Sequence, residues 1–203
     1  MIGNTLIDEK GLANETYINI IRRAHREGHI VANHTYTHAS AYAPWLKIEN
    51  KAEAFRDELV QADNTLTKIL GPNSRRYFRP PGGWWLKDET NLVLDDPIFA
   101  DYLGPVGWNI GGGQLGDKSV ADHECWSLSI SVEVCGKKYV EEIEKLGKGI
   151  VLFHDDDSKT ADMFINHIYP EIKKKGYKII SLDEVPYYKD QIHSQGSTAK
   201  PDD

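Results

Sequence analysis

Apolar positions recur alternately at helical spacing and in short continuous runs along this chain. Asn14 stands where a helix N-cap would, and Tyr17, Ile20, Ile21 and Ala24 then share one face of a helix beginning at Glu15. Gly28 ends that helix in a left-handed turn, and His29-Ile30-Val31-Ala32-Asn33 follows as a short β run. From about Glu49 to Leu70 the stripe Phe55, Leu59, Ala62, Leu66 and Ile69 predicts a long amphipathic helix, stopped by Gly71-Pro72. Tyr77-Phe78-Arg79 reads as a strand running into the forced loop Pro80-Pro81-Gly82-Gly83. Another strand lies within Tyr102 to Ile110, and Gly111-Gly112-Gly113 opens a long irregular segment. A helix near Lys137 to Leu146 turns Val140, Ile143 and Leu146 inward. Gly149-Ile150-Val151-Leu152-Phe153 predicts a strand covered on both faces. A helix from about Thr160 to Lys175 aligns Phe164, Ile168 and Ile172, and Tyr177 to Ser181 is the last strand. From Ser194 the tail is polar and expected to be disordered. Alternating strands and helices argue for an α/β fold with a parallel sheet or barrel. Without a repeat or linker, residues 1–190 read as one domain.

Composition narrows the partners. The 203 residues carry a formal net charge of -7, and no basic run is longer than Lys173-Lys174-Lys175. Phosphate binding needs clustered Lys and Arg, so nucleic acid is not an expected partner. No apolar run approaches the ~20 residues that span a bilayer. Met1-Ile2-Gly3-Asn4 has neither the basic start nor the apolar stretch of a secretory signal. Cys125 and Cys135 are not at zinc-knuckle spacing. They read either as two unrelated buried thiols or as a disulfide closing a short loop in an oxidising compartment.

Four segments carry candidate chemistry at strand ends, where such folds place their sites. His34-Thr35-Tyr36-Thr37-His38 puts two imidazoles four residues apart, able to face one metal. The spacing alone is weak, since a chain with eight histidines produces such pairs by chance. Asn33, Thr35 and Thr37 are placed to fix the rings by hydrogen bonds. Arg79, at a strand end, can orient a carboxylate and depress its pKa; the bland alternative is a solvated basic cluster at Arg75-Arg76 before a turn. His154 ends the most apolar run and suits general acid or base work, or is a surface His before Asp155-Asp156-Asp157. Successive aspartates cannot all face one point, which argues against a metal site there. Trp84, Trp85, Trp108 and Trp126 offer ring surface for sugars, although core packing is the commoner fate of tryptophan.

Taken in order, these segments resemble the polysaccharide deacetylases of carbohydrate esterase family four. Asn33-His34-Thr35-Tyr36-Thr37-His38 is similar to the family's second motif, Tyr77-Phe78-Arg79-Pro80-Pro81-Gly82 to its third, and Leu152-Phe153-His154-Asp155 to its fifth. Glu27-Gly28-His29 and Gly176 to Asp183 also look like the family, so the likeness covers roughly Met1 to Val185. The resemblance implies a distorted (β/α) barrel. It also implies hydrolysis of N-acetyl groups on N-acetylglucosamine-containing polysaccharide, chitin or peptidoglycan, with one divalent metal: zinc, or else cobalt, nickel or manganese. By position His34 and His38 would be metal ligands, His154 the acid, and Arg79 the residue orienting an Asp base. Tyr77, Pro80, Gly82, Trp84, Trp126 and Leu152 would contact substrate.

Two departures qualify that expectation. The family's first motif, a Thr-Phe-Asp-Asp-Gly-Pro-like strand end, supplies the base and a third metal ligand, and no such segment occurs here. Met1-Ile2-Gly3-Asn4 instead resembles the family's second strand. The expectation is therefore an N-terminally short chain, lacking its first strand and signal peptide, from an extracytoplasmic protein. The fourth motif, normally Asp-x-x-Asp-Trp, reads Asp122-His123-Glu124-Cys125-Trp126, so Asp122 or Glu124 would tune His154. Cys125 and Cys135 flank this loop, and a disulfide would brace it. The rival readings are a non-catalytic relative binding glycan through Trp84, Trp85 and Trp126, and a metal hydrolase of a non-sugar amide on the same barrel.

Overall fold

The computed structural model describes residues 2–8, 10–38, 51–72, 76–83, 97–100, 102–113 and 120–189. The expected tail from Ser194 and the ring surfaces of Trp84 and Trp85 lie outside the described residues. Two compact units emerge, Met1–Val106 with Ser181–Asp203, and Gly107–Ile180.

In the first unit, α1 (Glu15–Arg26) is capped by Asn14, whose side chain accepts the Tyr17 N–H. Its buried face centres on Ile18, supported by the partly buried Ile21, while Tyr17 and Ile20 are exposed. The predicted stripe was therefore offset, because Ile18 packs on Leu6, Leu66 and Ile69. Helix α2 (Lys51–Leu70) buries all five expected residues, Phe55, Leu59, Ala62, Leu66 and Ile69. Gly71, at φ 84°, ends it in the left-handed region that a residue with a Cβ resists.

Pairing in this unit is parallel and short. Strand β1 (Arg76–Tyr77) pairs with β2 (Tyr102–Leu103), and Asn33 forms a parallel bridge to Phe78. The order is thus Asn33, β1, β2, with α2 as the crossover between the first two. Among the described residues the run before Asn33 makes no longer ladder, and β2 stops at Gly104-Pro105, since proline has no N–H to donate. Gly3–Thr5, expected to resemble a strand, is a 3₁₀ turn.

In the second unit, Ile110 bridges Val151 in parallel, and Leu152 N–H donates to Ile110 O at 2.9 Å. Around this pair lie α3 (Asp122–Ser127), α4 (Val132–Leu146), α5 (Ser158–Met163), a π-helical turn (Phe164–Ile168) and α6 (Tyr169–Lys174). Helix α4 starts five residues before the expected Lys137, because Ser131 caps it by accepting the Val134 N–H. Cys135, Tyr139, Val140, Ile143, Met163, Ile168 and Ile172 form the core with Ile110.

Of two strand expectations in this unit, the first is met only as the bridge at Val151 and the second is not met among the described residues. Ile150 to Phe153 is partly exposed rather than covered on both faces. Among the described residues Tyr177 to Ile180 forms no strand, with Ile179 65% and Ile180 51% exposed. A run of β-favouring residues becomes a strand only where a neighbour completes the ladder. No described helix is long and apolar enough to cross a membrane.

Candidate functional site

The first cluster is built on the bridge at Asn33. Asn33 N–H donates to Tyr77 O at 2.8 Å, and Arg79 N–H to Asn33 O at 2.9 Å. The buried Asn33 side chain donates to Leu59 O and accepts the Thr35 N–H, each at 2.9 Å. The chain then bends sharply, with Thr35 at φ 65° and His38 at φ 62°. This bend brings the rings of His34 and His38 to 4.9 Å between centroids, edge to face at 71°. His34 Nδ1 lies 2.7 Å from Arg79 O. A carbonyl can only accept, so Nδ1 carries the proton and Nε2 keeps its lone pair. Burial, the largest influence, lowers the His34 pKa to about 4, so the ring is neutral at ordinary pH. A neutral imidazole with one nitrogen tied to a carbonyl is the form that ligates a divalent metal, so these residues fit such an ion. Thr35 Oγ1 is buried without a hydrogen-bond partner among the described residues.

Around Arg79 the structure is tightly tied. Its Nε donates to Val106 O at 2.9 Å, and burial lowers its pKa. Tyr77, expected to contact substrate, is 1% exposed and donates its hydroxyl to Asp183 at 2.6 Å. Pro80 is buried and Gly82 is exposed in a left-handed turn. Trp84 lies outside the described residues.

In the second unit, Asp122 opens α3 and is fully buried. Its carboxylate takes four donors. Oδ1 lies 2.7 Å from His154 Nδ1 and accepts the His123 N–H at 2.9 Å. Oδ2 accepts the His154 N–H at 2.6 Å and the Thr160 hydroxyl at 3.1 Å. Of the two carboxylates the sequence left open, Asp122 rather than Glu124 is the partner of His154. Burial pushes the Asp122 pKa up, but the His154 side-chain and backbone hydrogen bonds outweigh it, and the net value is lowered. The hydrogen bond to Asp122 raises the pKa of His154, with Asp156 and Asp155 adding to the effect.

Support for this pair extends outward. The Trp126 indole N–H donates to Thr160 Oγ1 at 3.1 Å, and its ring lies under Lys159. Tyr139 OH accepts the Asp122 N–H at 3.0 Å and donates to Leu152 O at 3.2 Å, which ties the partly buried Leu152 into the same network. Gly111 has no space for a Cβ, which would lie 2.8 Å from the Tyr139 ring. A disulfide joins Cys125 to Cys135 and so ties α3 to α4. Asp122, His123 and His154 also offer three donor atoms within 4.8 Å of one another, a spacing that could hold a metal ion. An ion there would have to displace the proton between His154 Nδ1 and Asp122.

Sequence reasoning missed Glu58, Thr160, Tyr139 and His123. Glu58 and Thr160 sit in helices without motif spacing, and Tyr139 reads simply as core. His123 stood inside the fourth-motif segment but was not singled out.

Solved structures similar to this chain are carbohydrate esterase family 4 domains, and that likeness gives the fold class. The Xyl-CE4 domain of a multidomain xylanase from the hindgut metagenome of Trinervitermes trinervoides matches with TM-score 0.60 and 18% identity, over 96% of this chain and 75% of that one. A family 4 pseudoenzyme from Bacillus anthracis matches with TM-score 0.57 and 20% identity, over 84% and 50%. The family model for polysaccharide deacetylase matches residues 4–96. A chitin deacetylase of Arthroderma benhamiae is 26% identical over 168 residues, 83% of this chain and 40% of the relative. The peptidoglycan-N-acetylmuramic acid deacetylase of Bacillus subtilis is 27% identical over 176 residues, 84% and 56%. The chain thus spans about half the length of these relatives. These matches support a polysaccharide deacetylase-like family for the chain.

Proposed function

We propose that this chain forms the greater part of a metal-dependent hydrolase domain that removes N-acetyl groups from N-acetylglucosamine-containing polysaccharide. The barrel expected of the family, the single domain 1–190 and the extracytoplasmic location belong to the same reading. The disulfide supports that location, since such bonds persist in oxidising compartments. The relatives' activities, those of a chitin deacetylase and a peptidoglycan-N-acetylmuramic acid deacetylase, support the substrate class.

The observation that carries the reading is the pairing of His154 with a buried, ionised Asp122. An acid that protonates a leaving amine must hold its proton near neutral pH, and Asp122 stabilises that form of His154. Nδ1 is committed to Asp122, while the ring is 41% exposed, so Nε2 is the atom that exchanges protons. Water adds its oxygen to the acetyl carbon and releases a proton to solvent; as the C–N bond then breaks, Nε2–H gives its proton to the departing nitrogen, and the acetyl group leaves as acetate. His34 and His38 would hold the divalent ion, which supplies Lewis-acid polarisation of the acetyl carbonyl. In the first unit Arg79 would orient a carboxylate base and the exposed turn at Gly82 would contact substrate; in the second, Trp126 and Leu152 support the acid.

A second reading, a non-catalytic glycan-binding relative, has a specific observation behind it. Among the described residues, no third His, Cys, Asp or Glu donor joins His34 and His38. The sequence also holds no Asp-Asp-Gly-Pro-like segment to act as base. The structurally similar protein from Bacillus anthracis is described as a pseudoenzyme. Acetate release from chitin oligomers and peptidoglycan, with zinc or cobalt added, separates the readings. Release that is lost in His154→Ala supports the hydrolase, and sugar binding without acetate supports the second reading.

A further inference from the structure

The loop from His34 to His38 passes twice through backbone conformations that residues with a Cβ rarely adopt, at Thr35 and His38. Such a bend persists only when its surroundings over-determine it. Part of that determination comes from near the chain start, where Gly3 N–H donates to Thr35 O at 3.0 Å and Asn4 N–H to Tyr36 O at 2.8 Å. The backbone N–H groups of Tyr36 and Thr37 and the Thr37 hydroxyl all go to one carboxylate. Glu58 Oε2 accepts the N–H of Tyr36 at 2.9 Å and of Thr37 at 2.7 Å. Glu58 Oε1 accepts the Thr37 hydroxyl at 2.7 Å. Glu58 projects from α2, which buries Phe55, Leu59 and Ala62.

We infer that Glu58 is a positioning residue for the metal-ligating pair: it clamps the His34–His38 loop from its outer side and so presets the two imidazoles for one divalent cation. The inference rests on the proposed role of His34 and His38. Its physical basis is preorganisation. Without the carboxylate, two consecutive N–H groups and a hydroxyl turn to water, and the bend has less to hold it against relaxing to ordinary backbone angles. The rings then sample separate orientations, and a cation must pay to bring them together again. The charge of Glu58 is secondary, because a glutamine oxygen can accept the same two N–H groups and its amide can donate to the hydroxyl.

The test titrates zinc chloride into the full chain by calorimetry, for wild type, His34→Ala, Glu58→Ala and Glu58→Gln. Amide hydrogen exchange at Tyr36 and Thr37 is followed in parallel without metal. The expected result is abolished uptake in His34→Ala and affinity about 10–100-fold weaker in Glu58→Ala. Glu58→Gln should stay within about threefold of wild type, because it keeps the N–H acceptor. The Tyr36 and Thr37 amides should lose protection in Glu58→Ala alone. Zinc binding in a folded Glu58→Ala equal to wild type overturns the inference, as does an equal loss in Glu58→Ala and Glu58→Gln. If Glu58→Ala does not fold, Thr37→Val, which removes only the hydroxyl bond, must bind zinc more weakly than wild type, and unchanged binding overturns the inference. Equal uptake by wild type and His34→Ala is a different failure. It removes the metal reading itself, and the inference with it.

Discussion

Replacing Asp122 by Asn tests the acid pair directly, because the side chain keeps its shape and loses its charge and one acceptor. Each carboxylate oxygen now accepts two donors, one of them a backbone N–H that cannot turn away: His123 N–H on Oδ1 and His154 N–H on Oδ2. Whichever oxygen becomes an NH₂ group faces one of these N–H groups and leaves it unsatisfied. An orphaned buried donor costs roughly 1–3 kcal/mol. The lost attraction to His154 adds less, since that ring is 41% exposed and solvent screens it. A total near 2–3 kcal/mol predicts a melting temperature about 5–10 °C lower for a domain of this size. The sign with pH follows from the two shifts. His154 has a raised pKa in the folded chain, so its contribution is complete below its unfolded value and is lost as pH rises through the folded one. Asp122 has a lowered pKa, so its contribution is complete above its unfolded value and is lost as pH falls through the folded one. The gap in melting temperature between wild type and Asp122→Asn is therefore widest between those limits and closes on either side. Thermal melts across pH, with NMR titration of the His154 imidazole, measure both effects. A His154 pKa unmoved by the substitution, with an unchanged melt, would refute the reasoning.

Four further outcomes follow from the same geometry. Zinc should bind weakly to wild type and not to His34→Ala by calorimetry; because the His34 pKa is lowered to about 4, that ring's contribution to stability should be lost as pH falls from about 6.5 toward 4, and an acid melt series of wild type against His34→Ala checks this. Mass spectrometry under non-reducing conditions should find no free thiol at Cys125 or Cys135, and reducing this short loop should cost about 2–3 kcal/mol in denaturant unfolding. Gly111→Ala should destabilise by more than about 1 kcal/mol, since the new Cβ meets the Tyr139 ring at φ 86°; an unchanged unfolding midpoint would contradict this. Acetate release from chitin oligomers should fall about 10²–10⁴-fold in His154→Ala, the worth of positioned acid–base assistance, and unchanged release would contradict the assignment of His154 as the acid.

The long helices were legible in the sequence because their signal is local and repeated. Phe55, Leu59, Ala62, Leu66 and Ile69 state the buried face of α2 five times over, and the structure buries all five. Ile18 shows the limit: α1 is short, and which of its neighbouring apolar residues turns inward depends on Leu6, Leu66 and Ile69, which are distant in sequence. Strands were least legible. Tyr177 to Ile180 has β-favouring composition but no strand among the described residues, and Ile150 to Phe153 pairs with Ile110 only as a bridge at Val151; a strand is a property of two segments, and composition does not reveal how far a partner runs alongside.

The same division runs through the candidate chemistry. By itself the sequence determined which residue types could act and that His34, His38, Arg79 and His154 stand at the ends of strand-like runs, because motif spacing is written along the chain. Only the tertiary structure decided that Asp122 rather than Glu124 meets His154, that Tyr77 turns inward to Asp183, and that Glu58 reaches across from α2 to the loop between the histidines. Those choices depend on side chains 32, 106 and 21 positions apart arriving within hydrogen-bond reach. Hydrogen bonds act over about 3 Å, and only the folded backbone brings such positions that close.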